Sequence, residues 1–311
     1  MKVAVTGSSG LIGTALMASL RADGHQVIRL VRRPPRADDE VRWDPRAADG
    51  GLAPAGPSAP RELAGLSACV HLAGAGVASR RWTSQYKAEI RNSRVLGTRA
   101  LAGALARMES PPATLLAASA IGWYGETGGR EVDESAPAGK TFLARLVRDW
   151  EAAADPAVEA GIRVVHLRSG LVLTPDGGLL ARLLPPARLG LCPRFGPGTQ
   201  EMSWISLSDE IGAIRFVLDR TDISGPVNLT APESVTNSAF TAALNTAAGR
   251  RDLPWLRVPA PVLRLGLGEA SAELLTSARV IPKRLIEAGY KFRHPALAEA
   301  LAAEFARKHR D

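Results

Sequence analysis

The chain has 311 residues, 46% of them apolar, and a mean hydropathy of −0.01. This is length for one large domain or two smaller ones and apolar content for a sizeable core; it excludes wholesale disorder, a collagen-like chain and a coiled-coil rod. The formal charge of +8 invites a nucleic-acid reading. However, the basic residues are mostly scattered arginines, without RNA-binding aromatic motifs or a helix-turn-helix pattern, so a solvated basic surface is expected.

Along the chain, short apolar runs alternate with helical patterns. Lys2–Thr6 (KVAVT) reads as a buried strand, followed by a glycine-rich turn and a helix over Leu11–Ala22. The single basic residue and early Gly and Ser of this N-terminus do not fit a signal peptide. Gln26–Val31 closes a βαβ unit, and 41–43 is expected as a short third strand before a Gly/Ala/Pro loop at 45–60. Strands are predicted at 68–72, 114–119 and 163–168, with helices over 84–108 and 142–160. That alternation implies an α/β fold, a doubly wound parallel sheet covered on both faces. After Gly170 the prolines 185, 186, 193 and 197 mark an irregular segment. A helix at Leu207–Asp219, a strand at 227–230 and a helical end with amphipathic patches at 282–288 and 295–308 follow.

The expected division is a Rossmann domain over 1–170 and a substrate-side region over 171–311, its helical C-terminal part starting near 261, with strands and helices interleaving between the two. No run reaches the ~20 apolar residues of a membrane span. Cys69 and Cys192 lack disulfide or metal spacing, and the five histidines form no ligand pair, so no metal is expected. The expectation is a soluble cytoplasmic protein that acts on a small molecule, with no nucleic-acid or membrane partner and a homodimer as the possible assembly.

Gly7-Ser8-Ser9-Gly10-Leu11-Ile12-Gly13 is a GxxGxxG loop between a strand and a helix. Gly7 permits the tight turn, Gly10 lets a pyrophosphate approach the backbone, and Gly13 allows close helix–strand packing. The helix N-terminus then offers free N–H groups to phosphate. NAD-selective folds end the second strand in a carboxylate for the ribose 2′-hydroxyl; here Val31 is followed by Arg32 and Arg33. Guanidiniums suit a 2′-phosphate, so NADP (NADPH) is the expected cofactor.

These segments, with HLAGAG at 71–76, SAIGWYG at 119–125, RDWEAAA at 148–154, LRSGLVL at 167–173 and SWISLSDE at 203–210, resemble the extended and atypical short-chain dehydrogenase/reductases. The closest likeness is to the epimerase-like family (NAD-dependent epimerase/dehydratase type), whose small C-terminal domain of unknown role the end of this chain also resembles. The resemblance implies that Ala73 and Gly74 pass beneath the adenine and ribose. It places Ser119, or Ala120 beside it, near the nicotinamide, has Arg168, Ser169 and Gly170 border the nicotinamide and substrate cleft, with Arg168 a cofactor-binding residue, and lets Asp209 order the loop behind it; the alternative there is a helix-cap role for Ser206 or Ser208.

One departure limits the functional reading. Relatives carry Tyr-x-x-x-Lys on the helix after the Ser strand, where Lys lowers the phenol pKa and Tyr moves the proton. Here Phe142 or Leu143 stands for Tyr and Leu146 or Val147 for Lys. Ser119 and Tyr124 are the remaining catalytic candidates; Lys140, Trp82, Tyr86 and Arg91 are further residues near the cleft. Two readings follow: an NADP(H)-dependent oxidoreductase or epimerase acting on a small carbonyl or alcohol, or a non-catalytic NADP(H)-binding sensor or scaffold.

Overall fold

A computed structural model describes residues 1–47, 51–52, 61–77 and 80–307. Its centre is a seven-stranded sheet of β1 (Lys2–Thr6), β2 (Gln26–Val31), β3 (Glu40–Arg42), β4 (Ala68–His71), β5 (Thr114–Ala120), β6 (Arg163–Ser169) and β7 (Gly225–Leu229). All pairings are parallel, and the spatial order is β7-β6-β5-β4-β1-β2-β3. The order reverses between β1 and β4, which opens a crevice above their carboxyl ends. The last strand comes from beyond residue 170, so the sheet is completed by the second half of the chain.

The helices are α1 (Leu11–Ala22), α2 (Ser84–Ala106), α3 (Phe142–Ala152), α4 (Asp155–Glu159), α5 (Gly178–Arg188) and α6 (Leu207–Asp219). After these come α7 (Asn237–Ala247), α8 (Ala260–Leu267), α9 (Ala270–Leu275), α10 (Lys283–Glu287) and α11 (Leu297–Arg307). Strand side chains alternate between faces, and the packing follows that period. Val3 and Val5 of β1 join Leu16 of α1 and Ile214 of α6, whereas Ala4 joins Leu101 and Leu105 of α2 and Ala157 of α4. A third core gathers α5, α7 and α11 around Trp204, Phe240 and Leu301. No helix among the described residues is long and apolar enough to cross a membrane.

Several boundaries differ from the sequence expectation. The helix predicted over 142–160 is two helices, because Pro156 lacks the N–H that would bond four residues back; Pro instead sits in the first turn of α4. Conversely, Pro185 and Pro186 lie inside α5 rather than in an irregular segment. Leu180, Leu183, Leu184 and Ala187 fall on one face at helical spacing, and their burial outweighs the lost backbone bonds. The third strand starts one residue earlier than expected, and most of the 45–60 loop lies outside the described residues.

A buried polar chain fastens β1, β4, α2 and α3. Thr6 Oγ1 accepts the backbone N–H groups of Leu72 and Ala73 at 3.1 and 3.2 Å. Its own hydrogen therefore goes to His71 Nδ1, 2.7 Å away, which leaves the ring proton on Nε2 to be donated to Thr98 Oγ1 at 3.0 Å. Trp150 Nε1 donates to the same Thr98 oxygen at 2.9 Å.

Burial pushes the His71 imidazole down to about 4 from 6.5. The neutral ring is the folded form, so this contribution is complete above pH 6.5 and is lost as pH falls toward 4, amounting to about 3 kcal/mol. Urea unfolding at a series of pH values should therefore show a steeper acid loss for the native chain than for His71→Gln. Parallel pH curves for the two would contradict the assignment.

Candidate functional site

The glycine loop leaves β1 and enters α1 directly beneath the crevice. Gly7 has φ +65°, and a Cβ there would stand 2.7 Å from the Leu72 backbone, the first residue past β4. A Cβ on Gly13 would meet the Gly7 carbonyl oxygen at 2.3 Å. Only glycine fits either place. Helix α1 begins on Gly10, which has no side chain to cap it, and its first turn contains no carboxylate. Its N-terminal amides and positive dipole end are thus left for an anion, which is what a dinucleotide pyrophosphate requires. Ser8 is buried, while Ser9 and Gly10 are exposed along the loop with Leu11 half-covered beside them.

At the end of β2 the two arginines separate. Arg33 forms a two-pronged pair with Glu40 at 2.7 and 2.6 Å. With the Arg36 N–H it holds that carboxyl down to about 2. Arg32 is exposed and makes no ion pair or side-chain hydrogen bond among the described residues.

On the other flank, the loop after β4 is stitched to α2 and to the residues leading into it. Ser93 Oγ accepts the Ala75 N–H, Arg94 Nη1 donates to the Ala75 carbonyl, Tyr86 donates to the Gly76 carbonyl and Trp82 Nε1 to that of Val77. Trp82 and Tyr86 are therefore buried supports of the loop that carries Ala73 and Gly74. Arg91 points outward to Asp149 at 2.9 Å, and Lys140 is exposed.

Toward the substrate side, Ser119, Arg168 and Asn228 stand at one register level on β5, β6 and β7. Arg168 is 2% exposed and forms a buried pair with Glu151 of α3, Nε to Oε1 at 2.8 Å and Nη2 to Oε2 at 2.9 Å. Ser119 Oγ donates to the same Oε1 at 2.6 Å. Arg168 Nη1 donates to the Tyr124 oxygen at 3.1 Å, and Tyr124 donates to Asn228 Oδ1 at 2.7 Å. The guanidinium also lies 3.9 Å from the Trp123 ring centroid. The structure thus brings Ser119, Tyr124 and Arg168 together, but inside one closed network. Burial pushes the Tyr124 phenol up to about 12, so at neutral pH it stays protonated.

The positions where the resemblance leads one to expect Tyr and Lys are apolar contacts. Phe142 meets the Trp82 ring edge-on at 5.4 Å, and Leu146 packs in the same cluster with Tyr86 and Ile90. Behind the cleft, Ser206 caps α6, and Asp209 accepts the Arg293 and His294 N–H groups at 2.7 and 3.0 Å. Sequence reasoning missed Glu151 and Asn228. Glu151 had a signal, a carboxylate in the mostly apolar WEAAA stretch; Asn228 had none.

Residues 3–229 match the family described as NAD dependent epimerase/dehydratase family, and residues 258–304 a domain of unknown function, DUF1731. An "Epimerase family protein" of Mycobacterium tuberculosis is 45% identical over 300 residues, 96% of each chain. The human epimerase family protein SDR39U1 is 35% identical over 305 residues, 97% of this chain and 98% of that one. Its crystal structure (isoform 2) with NADPH superposes with TM-score 0.85 at 34% identity, covering 97% of this chain and 98% of that one. UDP-glucose 4-epimerase from Thermotoga maritima shares the fold, with TM-score 0.77 at 17% identity and full coverage of both chains.

Removing one partner of a buried ion pair leaves the other charge stranded, at a typical cost of about 3–5 kcal/mol. Arg168→Met should destabilise the chain by that order in urea unfolding. Replacing both partners together, Arg168→Met with Glu151→Leu, should recover most of the loss. A single variant as stable as the native chain would show that the pair is not closed in solution.

Proposed function

This chain belongs to the NAD dependent epimerase/dehydratase family, and on that premise we propose that it binds NADP(H) in the cytoplasm and passes a hydride to or from a small carbonyl or alcohol substrate. The observation that carries this reading is the crevice between β1 and β4. Its floor is glycine backbone that no side chain would fit, its β1 side ends on an uncapped helix, and Arg32 stands free at the tip of β2. Support also comes from the NADPH in the human relative's crystal structure and from two free, buried cysteines that suit a reducing compartment.

The bound nicotinamide would supply or accept the hydride at its C4. The chain's residues do the rest. The α1 amides hold the phosphates, Arg32 pairs with a 2′-phosphate, and the loop stitched to α2 fixes the β4 flank. The Arg168–Glu151 pair sets the ends of β5, β6 and β7 that border the substrate. The two candidate hydroxyls are engaged elsewhere: Tyr124 and Ser119 already donate to Asn228 and Glu151. The proton at the substrate oxygen is therefore assigned to water. The same engagement favours the second reading, a protein that binds NADP(H) as a sensor or scaffold without turnover.

Calorimetric titration should give tighter binding for NADPH than for NADH, and Arg32→Ala should remove most of the difference, since charge-assisted hydrogen bonds contribute about 1.5–3 kcal/mol each. Arg33→Ala should matter less, because Arg33 is held by Glu40. Equal native affinities for the two cofactors would sink the reading. In NADPH oxidation assays over a carbonyl panel, turnover should be slow. Ser119→Ala and Tyr124→Phe should each change it less than about tenfold, because positioned acid–base groups give ~10²–10⁴. A hundredfold loss in either variant would place that hydroxyl on the substrate oxygen.

A further inference from the structure

Glu40, Glu151 and Asp209 are buried carboxylates, each met by several donors. Glu40 takes Arg33 and the Arg36 N–H, and Glu151 takes Arg168 and Ser119. Asp209 takes the Ser206 hydroxyl and the N–H groups of Arg293 and His294. All three follow the rule that a desolvated charge is compensated.

Glu210, on the first turn of α6, departs from it. It is 1% exposed, and among the described residues its one hydrogen bond comes from Ser169 Oγ to Oε1 at 2.6 Å, while Oε2 is buried without a partner. No cation among the described residues forms an ion pair with it. Residues 11–20 of α1 carry no charged side chain, nor do β5 and β7, and Arg168 is held by Glu151 on the opposite face of β6. The ionisable groups near this turn are Asp209 beside it and Tyr290, Arg293 and His294 after α10. The Tyr290 hydroxyl and the Arg293 and His294 N–H groups are spent on Asp209. Further along α6, Arg215 pairs with Asp23. Burial pushes the Glu210 carboxyl up to about 7, so it exchanges its proton near neutral pH.

Its position gives that proton a use. Val165, Leu167 and Ser169 of β6 point to the sheet face that α1 and α6 cover, and Ser169 is the half-buried last residue of the strand. β6 stands three strands from β1, about 14 Å at the ~4.8 Å spacing of neighbouring strands. The chain leaving β6 turns back to the glycine loop, where a Cβ on Gly177 would lie 3.4 Å from Leu11 Cδ1. A dinucleotide with its pyrophosphate on the α1 amides and its 2′-phosphate on Arg32 at β2 must extend its nicotinamide the other way, over β4, β5 and β6. That is the direction of the strand end where Ser169 meets Glu210. A nicotinamide ring is positive when oxidised and neutral when reduced, and the rest of the cofactor is the same in both forms.

We propose that Glu210 is the residue by which this chain tells oxidised from reduced cofactor: bound NADP+ expels the proton from its carboxyl, and NADPH leaves it in place. The inference rests on the cofactor reading given above and holds whether or not the chain turns over a substrate. The ionised carboxylate attracts the positive ring, so preference for NADP+ over NADPH rises as pH rises and is lost as pH falls. Ser169 is the donor that stabilises the carboxylate, and it therefore sets where on the pH scale the change occurs.

The test is calorimetric titration of NADP+ and of NADPH from pH 6 to pH 8 into the native chain, Glu210→Gln and Ser169→Ala, with circular dichroism to confirm that each is folded. The 2′-phosphate ionises in this range as well, but it is common to both forms and cancels in the ratio of their affinities. For the native chain that ratio, NADP+ over NADPH, should rise roughly fivefold to tenfold from pH 6 to pH 8. At pH 7 NADP+ should release about half a proton more than NADPH, read from two buffers of different ionisation enthalpy. Glu210→Gln should bind both forms with a flat ratio. Ser169→Ala should keep the rise and move its midpoint to higher pH. A native ratio that does not change with pH, or a rise that survives in Glu210→Gln, overturns the inference and leaves the cofactor reading intact. Should Glu210→Gln not fold, the Ser169→Ala midpoint decides in its place, and an unmoved midpoint overturns the inference. A native chain that binds neither form overturns the cofactor reading and this inference with it.

Discussion

The buried pair between Arg168 and Glu151 sets the terms for the substrate side of this molecule. Two charges withdrawn from water cost several kcal/mol each, and their attraction returns that only if the remaining donors and acceptors are also satisfied. The surrounding residues meet this demand. Ser119 and Arg168 share Oε1 of Glu151, Tyr124 passes the network on to Asn228, and Trp123 covers the guanidinium. Because the partners come from β5, β6, β7 and α3, the pair fixes four elements at once. The same closure takes the two hydroxyls that would otherwise be free for a substrate.

The cofactor side is built on the opposite principle. There the backbone does the work, and side chains are absent where they would obstruct. Glycines at 7 and 13 bring β1, β4 and α1 into contact, and the amides of α1 are left uncapped. Rigidity comes from outside the crevice, through the Thr6–His71–Thr98 chain and the residues that tie the 73–77 loop to α2. A surface rich in unpaired donors stays open because its supports are buried elsewhere.

This contrast explains what could be read from the sequence. The strands and α1 were legible because buried parallel strands leave continuous apolar runs and a close backbone approach forces glycine at fixed spacing. The boundaries of Lys2–Thr6, Leu11–Ala22, Gln26–Val31 and Leu207–Asp219 follow from such local signals. What stayed hidden depends on pairing at a distance. Nothing near Arg33 announces Glu40 as its partner, and nothing near Tyr124 announces Asn228, which lies 104 residues on. Pro185 and Pro186 misled because a local propensity was outweighed by packing of the opposite helical face against α7 and α11.

The charge excess can now be followed to particular places. Composition alone gave +8, and a general basic surface was the plainest account of it. In the fold, Arg29, Arg33, Arg168 and Arg194 are neutralised by carboxylates and contribute little outward field. Arg32 is not, and it stands at the tip of β2 on the flank of the β1/β4 crevice. A positive charge beside an uncapped helix N-terminus concentrates potential in a single crevice, where low-dielectric walls strengthen it. The ligand favoured by such a field is long, multiply anionic and laid along the strand ends. That demand is met by a phosphorylated dinucleotide, whose pyrophosphate would lie on the α1 amides.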